Sequence, residues 1–229
     1  MKCRGLALVA AAVLAGCGDN EAASPGPATE SDAAAPAVQV TGPERRILAF
    51  GDSLFAGYGV EETQSYPARL EAALRERGVN ARVTNAGVSG DTSAAGLARI
   101  EFVLDGLDAP PDVAIVELGG NDLLRGIPPA ETRDNLAAIL AELQRREIPV
   151  LLMGMRAPPN LGAAFVEDYD ALYPELAGQY GAALVPFFLA PVWDKPALIQ
   201  EDRVHPTPEG IEALVAATAD DVASALPED

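Results

Sequence analysis

What most constrains the fold of this 229-residue chain is an alternation of short apolar runs, closed by glycine or polar turns, with longer segments of helical period. Arg46–Phe50 (RILAF), Ala81–Asn85 (ARVTN), Asp112–Leu118 (DVAIVEL), Val150–Met155 (VLLMGM) and Ala183–Pro186 read as strands. Between and after them, Tyr66–Arg77, Thr92–Leu104, Thr132–Arg146, Phe165–Tyr180 and Pro208–Leu226 read as helices, and Gly78 is a stop signal for the first. The strands are mostly apolar runs without period-two alternation, and helices separate them. A strand apolar on both sides must be covered on both faces, so the expected architecture is α/β with a parallel sheet between helical layers. In such a sheet the functional residues belong at the carboxyl ends of the strands, beside the point where strand order reverses.

Two segments precede this pattern. Lys2 and Arg4 lead into an apolar stretch, Gly5–Ala15, too short to span a bilayer but long enough for the hydrophobic part of a signal peptide. Leu14-Ala15-Gly16-Cys17 resembles the lipobox of bacterial lipoproteins, which implies a signal peptide over residues 1–16 and a lipid anchor on Cys17. Residues 18–43 hold Ala, Pro, Ser, Gly and acids, and almost no large apolar side chain. They cannot build a core, so residues 17–44 are expected to act as a flexible tether to one domain over residues 45–229. The expected location is the bacterial cell envelope, with the domain in the periplasm.

The charge narrows the partners. With 34 acidic and 16 basic side chains the formal net charge is −18, which opposes binding to phosphate backbones, so no nucleic-acid partner is expected. The two cysteines, Cys3 and Cys17, both precede the domain, and His205 is the sole histidine. A zinc site of clustered His and Cys is thereby excluded, and a carboxylate-only metal site is not suggested, so no metal is expected.

Four polar clusters lead into or out of helices: Gly51-Asp52-Ser53-Leu54, Gly87-Val88-Ser89-Gly90-Asp91-Thr92, Gly119-Gly120-Asn121-Asp122 and Asp202-Arg203-Val204-His205-Pro206. Taken singly, each has an ordinary structural reading as a helix cap or turn. Together they supply what acyl transfer needs. A serine hydroxyl needs an adjacent base, and one histidine, three residues after a carboxylate, is available. Ser53 is the candidate nucleophile, His205 its base and Asp202 the carboxylate that orients the ring. The backbone N–H groups of Ser53 and Gly90 and the side-chain amide of Asn121 are the candidate oxyanion donors. Asp52 reads as a structural hydrogen-bonding residue. The serine lies in G-D-S-L and not in G-x-S-x-G, which argues against the ordinary α/β-hydrolase fold.

The four blocks, with Ser53, Gly90, Asn121 and Asp202/His205 in order, resemble those of SGNH hydrolases. The flanks AFGDSLFAGYGV, NAGVSGDTSAAGLARI, VELGGNDLLRG and LLMGMRAPPNLG resemble the bacterial multifunctional thioesterase/lysophospholipase subfamily. The resemblance covers residues 46–226. It implies a three-layer α/β/α, flavodoxin-like sheet of five parallel strands in the order 2-1-3-4-5. It also implies cofactor-free hydrolysis of esters and thioesters, including aryl esters, acyl-CoA and lysophospholipids, and the protein is expected to be a monomer. Leu54, Phe55, Leu123, Leu124, Met155 and Pro158 either line an acyl groove or serve as ordinary loop packing, and segments 119–126 and 156–163 are candidate mobile walls. Two other functions fit the residues: a carbohydrate O-acetylesterase of the envelope, and a non-catalytic acyl-binding lipoprotein.

Overall fold

The structure, a computed structural model, describes residues 40–227. The signal peptide, Cys17 and nearly all of the tether expected from the sequence lie outside them. Five strands form one parallel sheet: β1 (Arg45–Gly51), β2 (Ala81–Gly87), β3 (Val113–Glu117), β4 (Val150–Met153) and β5 (Ala183–Val185), in the order β2-β1-β3-β4-β5. The central strand β3 is buried at all five positions, as its apolar run requires. Ile47 pairs with Val83 on one side and Val113 on the other, so the β1 ladder is satisfied on both edges.

In chain order the helices are α1 (Ser53–Ala56), α2 (Tyr66–Glu76), α3 (Ser93–Asp105), α4 (Gly120–Leu124), α5 (Pro129–Arg145), α6 (Ala163–Tyr180) and α7 (Pro208–Ala225). The longer ones bury stripes spaced by three and four residues. In α2 the stripe is Tyr66, Leu70 and Leu74; in α5 it is Leu136, Ile139, Leu140 and Leu143. The step from β1 to β2 runs one way across the sheet, and every later step runs the other way. Right-handed crossovers therefore place α2 on one face and α3, α5 and α6 on the other. The last helix, α7, packs beside α2. None of the described helices is long and apolar enough to cross a membrane.

Structure and sequence differ mainly in two short helices. Strand and long-helix boundaries fall within about three residues of expectation, ordinary fraying at element ends. The four-residue α1 and five-residue α4 read as turns in the sequence, because one helical turn shows no apolar period.

The end of β2 packs closely against the backbone of α1, the helix that begins at Ser53. A Cβ built on Gly87 would lie 2.7 Å from the carbonyl carbon of Phe55 and 2.9 Å from the carbonyl oxygen of Asp52. Backbone cannot rotate away as a side chain can. Gly87→Ala is expected to lower the unfolding free energy by about 1–3 kcal/mol through overpacking. Urea unfolding beside the wild type checks this; an unchanged midpoint would show that α1 is free to shift.

Candidate active site

β1 ends at Gly51, and the chain turns at once into α1. The Asp52 side chain caps that turn, Oδ1 accepting from the Leu54 N–H at 3.0 Å. Gly57, at φ +84°, ends it in the left-handed region that glycine enters without a Cβ clash. Ser53 opens the helix, where its N–H has no intrahelical acceptor. The residue is buried, at 8% relative exposure.

The candidate base, His205, arrives from the far end of the chain. Antiparallel contact between Ile199 and Pro206, with Gln200 N–H donating to the His205 carbonyl at 2.8 Å, ties off the loop that carries Asp202 and His205. The Gln200 amide donates to the carbonyls of Tyr58 and Pro206, both at 2.9 Å, joining this loop to the segment after α1. Asp202 Oδ1 accepts from the backbone N–H groups of Val204 at 2.9 Å and His205 at 3.0 Å. Arg203, between them, has φ +63°, a conformation few non-glycine residues adopt. The result is a line of contacts: Asp202 Oδ2 is 2.6 Å from His205 Nδ1, and His205 Nε2 is 2.8 Å from Ser53 Oγ. Asp202 fixes Nδ1–H, which leaves Nε2 to accept from the serine hydroxyl. Tyr58 stacks on the imidazole with centroids 4.3 Å apart.

Gly90 and Asn121 meet Ser53 in the same cleft. Gly90 has φ +87°, and Arg125 Nη2 donates to its carbonyl at 2.7 Å. Asn121 lies on α4, where Nδ2 donates to Asp52 Oδ2 at 2.8 Å and keeps a second N–H. Asp52 thus does the structural work expected of it, on two donors at once. The cleft, of about 630 Å³, is lined by Ser53, Gly90, Asn121, Asp202 and His205 among others. Every catalytic and oxyanion candidate from the sequence is brought together there.

The apolar candidates divide. Leu54, Leu123, Leu124, Met155 and Pro158 line the cleft, joined by Phe187 and Leu189. Phe55 does not. It is fully buried, stacked on Tyr66 at 5.0 Å and edge-on to Phe188 at 5.8 Å, because position three of a one-turn helix faces the core. Segment 119–126, a candidate mobile wall, carries α4. Tyr58, Arg125 and Gln200 join the site without a signal in the sequence. Each acts through a contact between segments far apart in the chain, and no local motif announces such a contact.

Chemically, the arrangement sets a hydroxyl against a base whose other nitrogen is pinned to a carboxylate, beside N–H donors and an apolar wall. That is the equipment for forming and resolving an acyl-enzyme. Among the described residues no group of three His, Cys, Asp or Glu side chains is placed to hold a metal ion.

Known proteins share this plan. The GDSL-like lipase/acylhydrolase family matches residues 49–213. Esterase TesA of Pseudomonas aeruginosa is 41% identical over 160 residues, covering 70% of this chain and 79% of that protein. Thioesterase 1/protease 1/lysophospholipase L1 of Escherichia coli is 40% identical over 160 residues, covering 70% of this chain and 74% of that protein. The crystal structure of AlinE4, an SGNH-hydrolase family esterase, is 65% identical with a TM-score of 0.70, covering 82% of this chain and 100% of that one.

The electrostatics of Asp202 give a measurable consequence. Partial burial raises its carboxyl, but hydrogen bonds from the His205 ring and from the Val204 and His205 N–H groups outweigh this and hold it at about 2, below the ordinary 3.8. A carboxyl depressed by folding stabilises the native state above its unfolded pKa, and that contribution is lost as pH falls through the folded value. Asp202→Asn is therefore expected to melt below the wild type near neutral pH, with the gap closing as pH falls from about 4 to about 2. A gap in Tm that stays constant across that window would contradict the coupling.

Proposed function

The chain belongs to the GDSL-like lipase/acylhydrolase family and is an ester hydrolase, and on that premise we propose that Ser53, His205 and Asp202 act as its nucleophile, base and orienting carboxylate on acyl esters and thioesters. The observation that carries this reading is the pair of contacts made through one imidazole, Nε2 to Ser53 Oγ at 2.8 Å and Nδ1 to Asp202 Oδ2 at 2.6 Å. Ser53 Oγ attacks the acyl carbonyl carbon as its proton passes to His205 Nε2. The oxyanion then faces the N–H groups of Ser53 and Gly90 and the Asn121 amide, while Asp202 stabilises the imidazolium. Breaking the C–O or C–S bond takes the proton back from Nε2 to the leaving alcohol or thiol. Water then gives a proton to the same nitrogen and attacks the acyl-enzyme, releasing the acid and restoring the serine.

The cleft wall of Leu54, Leu123, Leu124, Met155, Phe187 and Leu189 supports acyl or aryl groups in preference to sugar rings. The names of the two relatives, an esterase and a thioesterase/lysophospholipase, agree with a range that includes acyl thioesters and lysophospholipids. The N-terminal sequence supports an address: cleavage after Gly16, lipid on Cys17, and a tether through residue 44 that holds the domain at the cell envelope on the periplasmic side. Two or more acyl chains, at roughly 0.8 kcal/mol per buried methylene, are enough for stable anchoring. Metabolic labelling with a radioactive fatty acid that persists in Cys17→Ala would remove the anchor from the proposal.

The catalytic reading is tested by hydrolysis of p-nitrophenyl acetate, butyrate and octanoate beside Ser53→Ala and Asn121→Ala. Turnover is expected in the parent and lost in Ser53→Ala, while Asn121→Ala lowers kcat by about 10²–10³-fold. A steep preference for acetate would favour acetylated carbohydrate as the substrate. No turnover by the folded parent would point to acyl binding without catalysis.

A further inference from the structure

Behind the cleft, the last residue of β3 is Glu117, a carboxyl with no exposed surface. Its Oε2 accepts a long hydrogen bond from the Asp52 N–H at 3.3 Å, and its Oε1 has no hydrogen-bond partner among the described residues. The chain leaves room for it. A Cβ built on Gly51 would lie 2.9 Å from Glu117 Oε2 and 2.8 Å from the Glu117 carbonyl oxygen, so the glycine that opens the Gly51-Asp52-Ser53 turn accommodates this carboxyl.

Among the described residues no cation makes a hydrogen bond or ion pair with it. The titratable groups around this pocket are Asp52 on the turn after β1, Asp122 on α4, the Tyr169 and Tyr173 phenols of α6, His205, whose charge acts on Asp52, and Arg99, whose guanidinium is engaged by Asp91 and the Gly51 carbonyl. Those phenols donate to the carbonyls of Gly119 and Leu118, and Asp122 is occupied by Ser93 and Thr132. An ionised carboxylate enclosed with one long hydrogen bond and acidic neighbours is among the least favourable groups to bury. Asp52 differs. Oδ1 accepts from Leu54 N–H and Oδ2 from Asn121 Nδ2, so both its oxygens serve as acceptors. Two carboxyls this close do not both ionise, and the proton belongs on the one with fewer donors.

We propose that Glu117 is carried as a neutral carboxylic acid and is a positioning residue for Asn121, acting through Asp52. With the proton of the pair on Glu117, Asp52 stays an acceptor and turns the Asn121 amide nitrogen towards itself, which leaves the second N–H for the oxyanion. With the proton on Asp52, the amide would rotate to offer its carbonyl, and the N–H donor would leave that place. Burial drives the Glu117 carboxyl well above the usual carboxylate range, and the charge of Asp52 adds to this. Asp52 is itself raised by burial but is held down by Leu54 N–H, Glu117 and Asn121.

The inference rests on the catalytic reading of Asn121, so its test has an arm that does not depend on turnover. Infrared spectra of the full chain at neutral pH are expected to show the C=O stretch of an un-ionised carboxyl, kept in Ser53→Ala and lost in Glu117→Gln. In kinetics, Glu117→Gln, a neutral group of the same shape, should keep kcat within about threefold, whereas Glu117→Met should lower kcat at least about tenfold with KM little changed. On the Asn121→Ala background the Met substitution should cost less than about threefold, because the donor it misplaces is already gone. The proposal is overturned if the band is absent, if Gln is as damaging as Met, or if the Met loss recurs in full without Asn121. Should Glu117→Met fail to fold, the band and the Gln variant still decide. A band present in a protein that turns over no ester would defeat the reading of the cleft, and the positioning role with it, but not the location of the proton.

Discussion

Five parallel strands end at one edge, and every functional contact in this molecule depends on that. Ser53 follows β1, Gly90 follows β2 and Asn121 stands near the start of α4 just beyond β3, and these three strands are neighbours in the sheet. The crossover to β2 runs one way from β1 and the crossover to β3 returns the other way, so the helices part above the end of β1 and leave a cleft. Ser53 stands in that opening with an oxyanion candidate on either side. His205, 152 residues later, reaches it because α7 packs beside α2 and its preceding loop is tied back to Tyr58 by Gln200.

The second constraint is how this edge satisfies polar groups out of reach of water. Asp122 accepts from the N–H and hydroxyl of Ser93 and from Thr132, and Asn135 donates to the same Ser93 hydroxyl at 3.0 Å. One buried carboxylate thereby joins the starts of α3, α4 and α5. Arg99 pairs with Asp91 at 2.6 Å, donates to the Gly51 carbonyl at 2.9 Å and lies over the Phe50 ring, so the β2–α3 loop is fastened to the turn that carries Ser53. Networks of this kind are costly when half made and rigid when complete. They explain how loops only a few residues long can hold donors in register with a serine on another strand.

Much of the plan is legible in the amino-acid sequence. Apolar runs such as Val113–Val116 have little polar surface to give to water, so they mark buried parallel strands. The stripes of α2 and α5 carry their own period. The catalytic and oxyanion candidates stand out because serine attack needs a base, and the domain contains one histidine. What stays hidden is short or mutual. A single turn such as α1 has no period, so the inward aim of Phe55 is not written in its neighbours. Tyr58, Arg125 and Gln200 are ordinary residues in the sequence and gain their roles from partners in other segments: the His205 ring, the Gly90 carbonyl, and the carbonyls of Tyr58 and Pro206.

The sequence by itself determined which elements form and which groups are available for chemistry. Both are local properties, set by side-chain polarity, spacing and the conformational limits of glycine and proline. The tertiary structure alone decided distances and surroundings: the 2.8 Å between His205 Nε2 and Ser53 Oγ, the shared hold of Asp52 on Leu54 and Asn121, and the enclosure of Glu117. The reason is physical. A carboxyl or an imidazole takes its hydrogen-bond partners and its local dielectric from atoms that only the packed sheet and helices bring within reach.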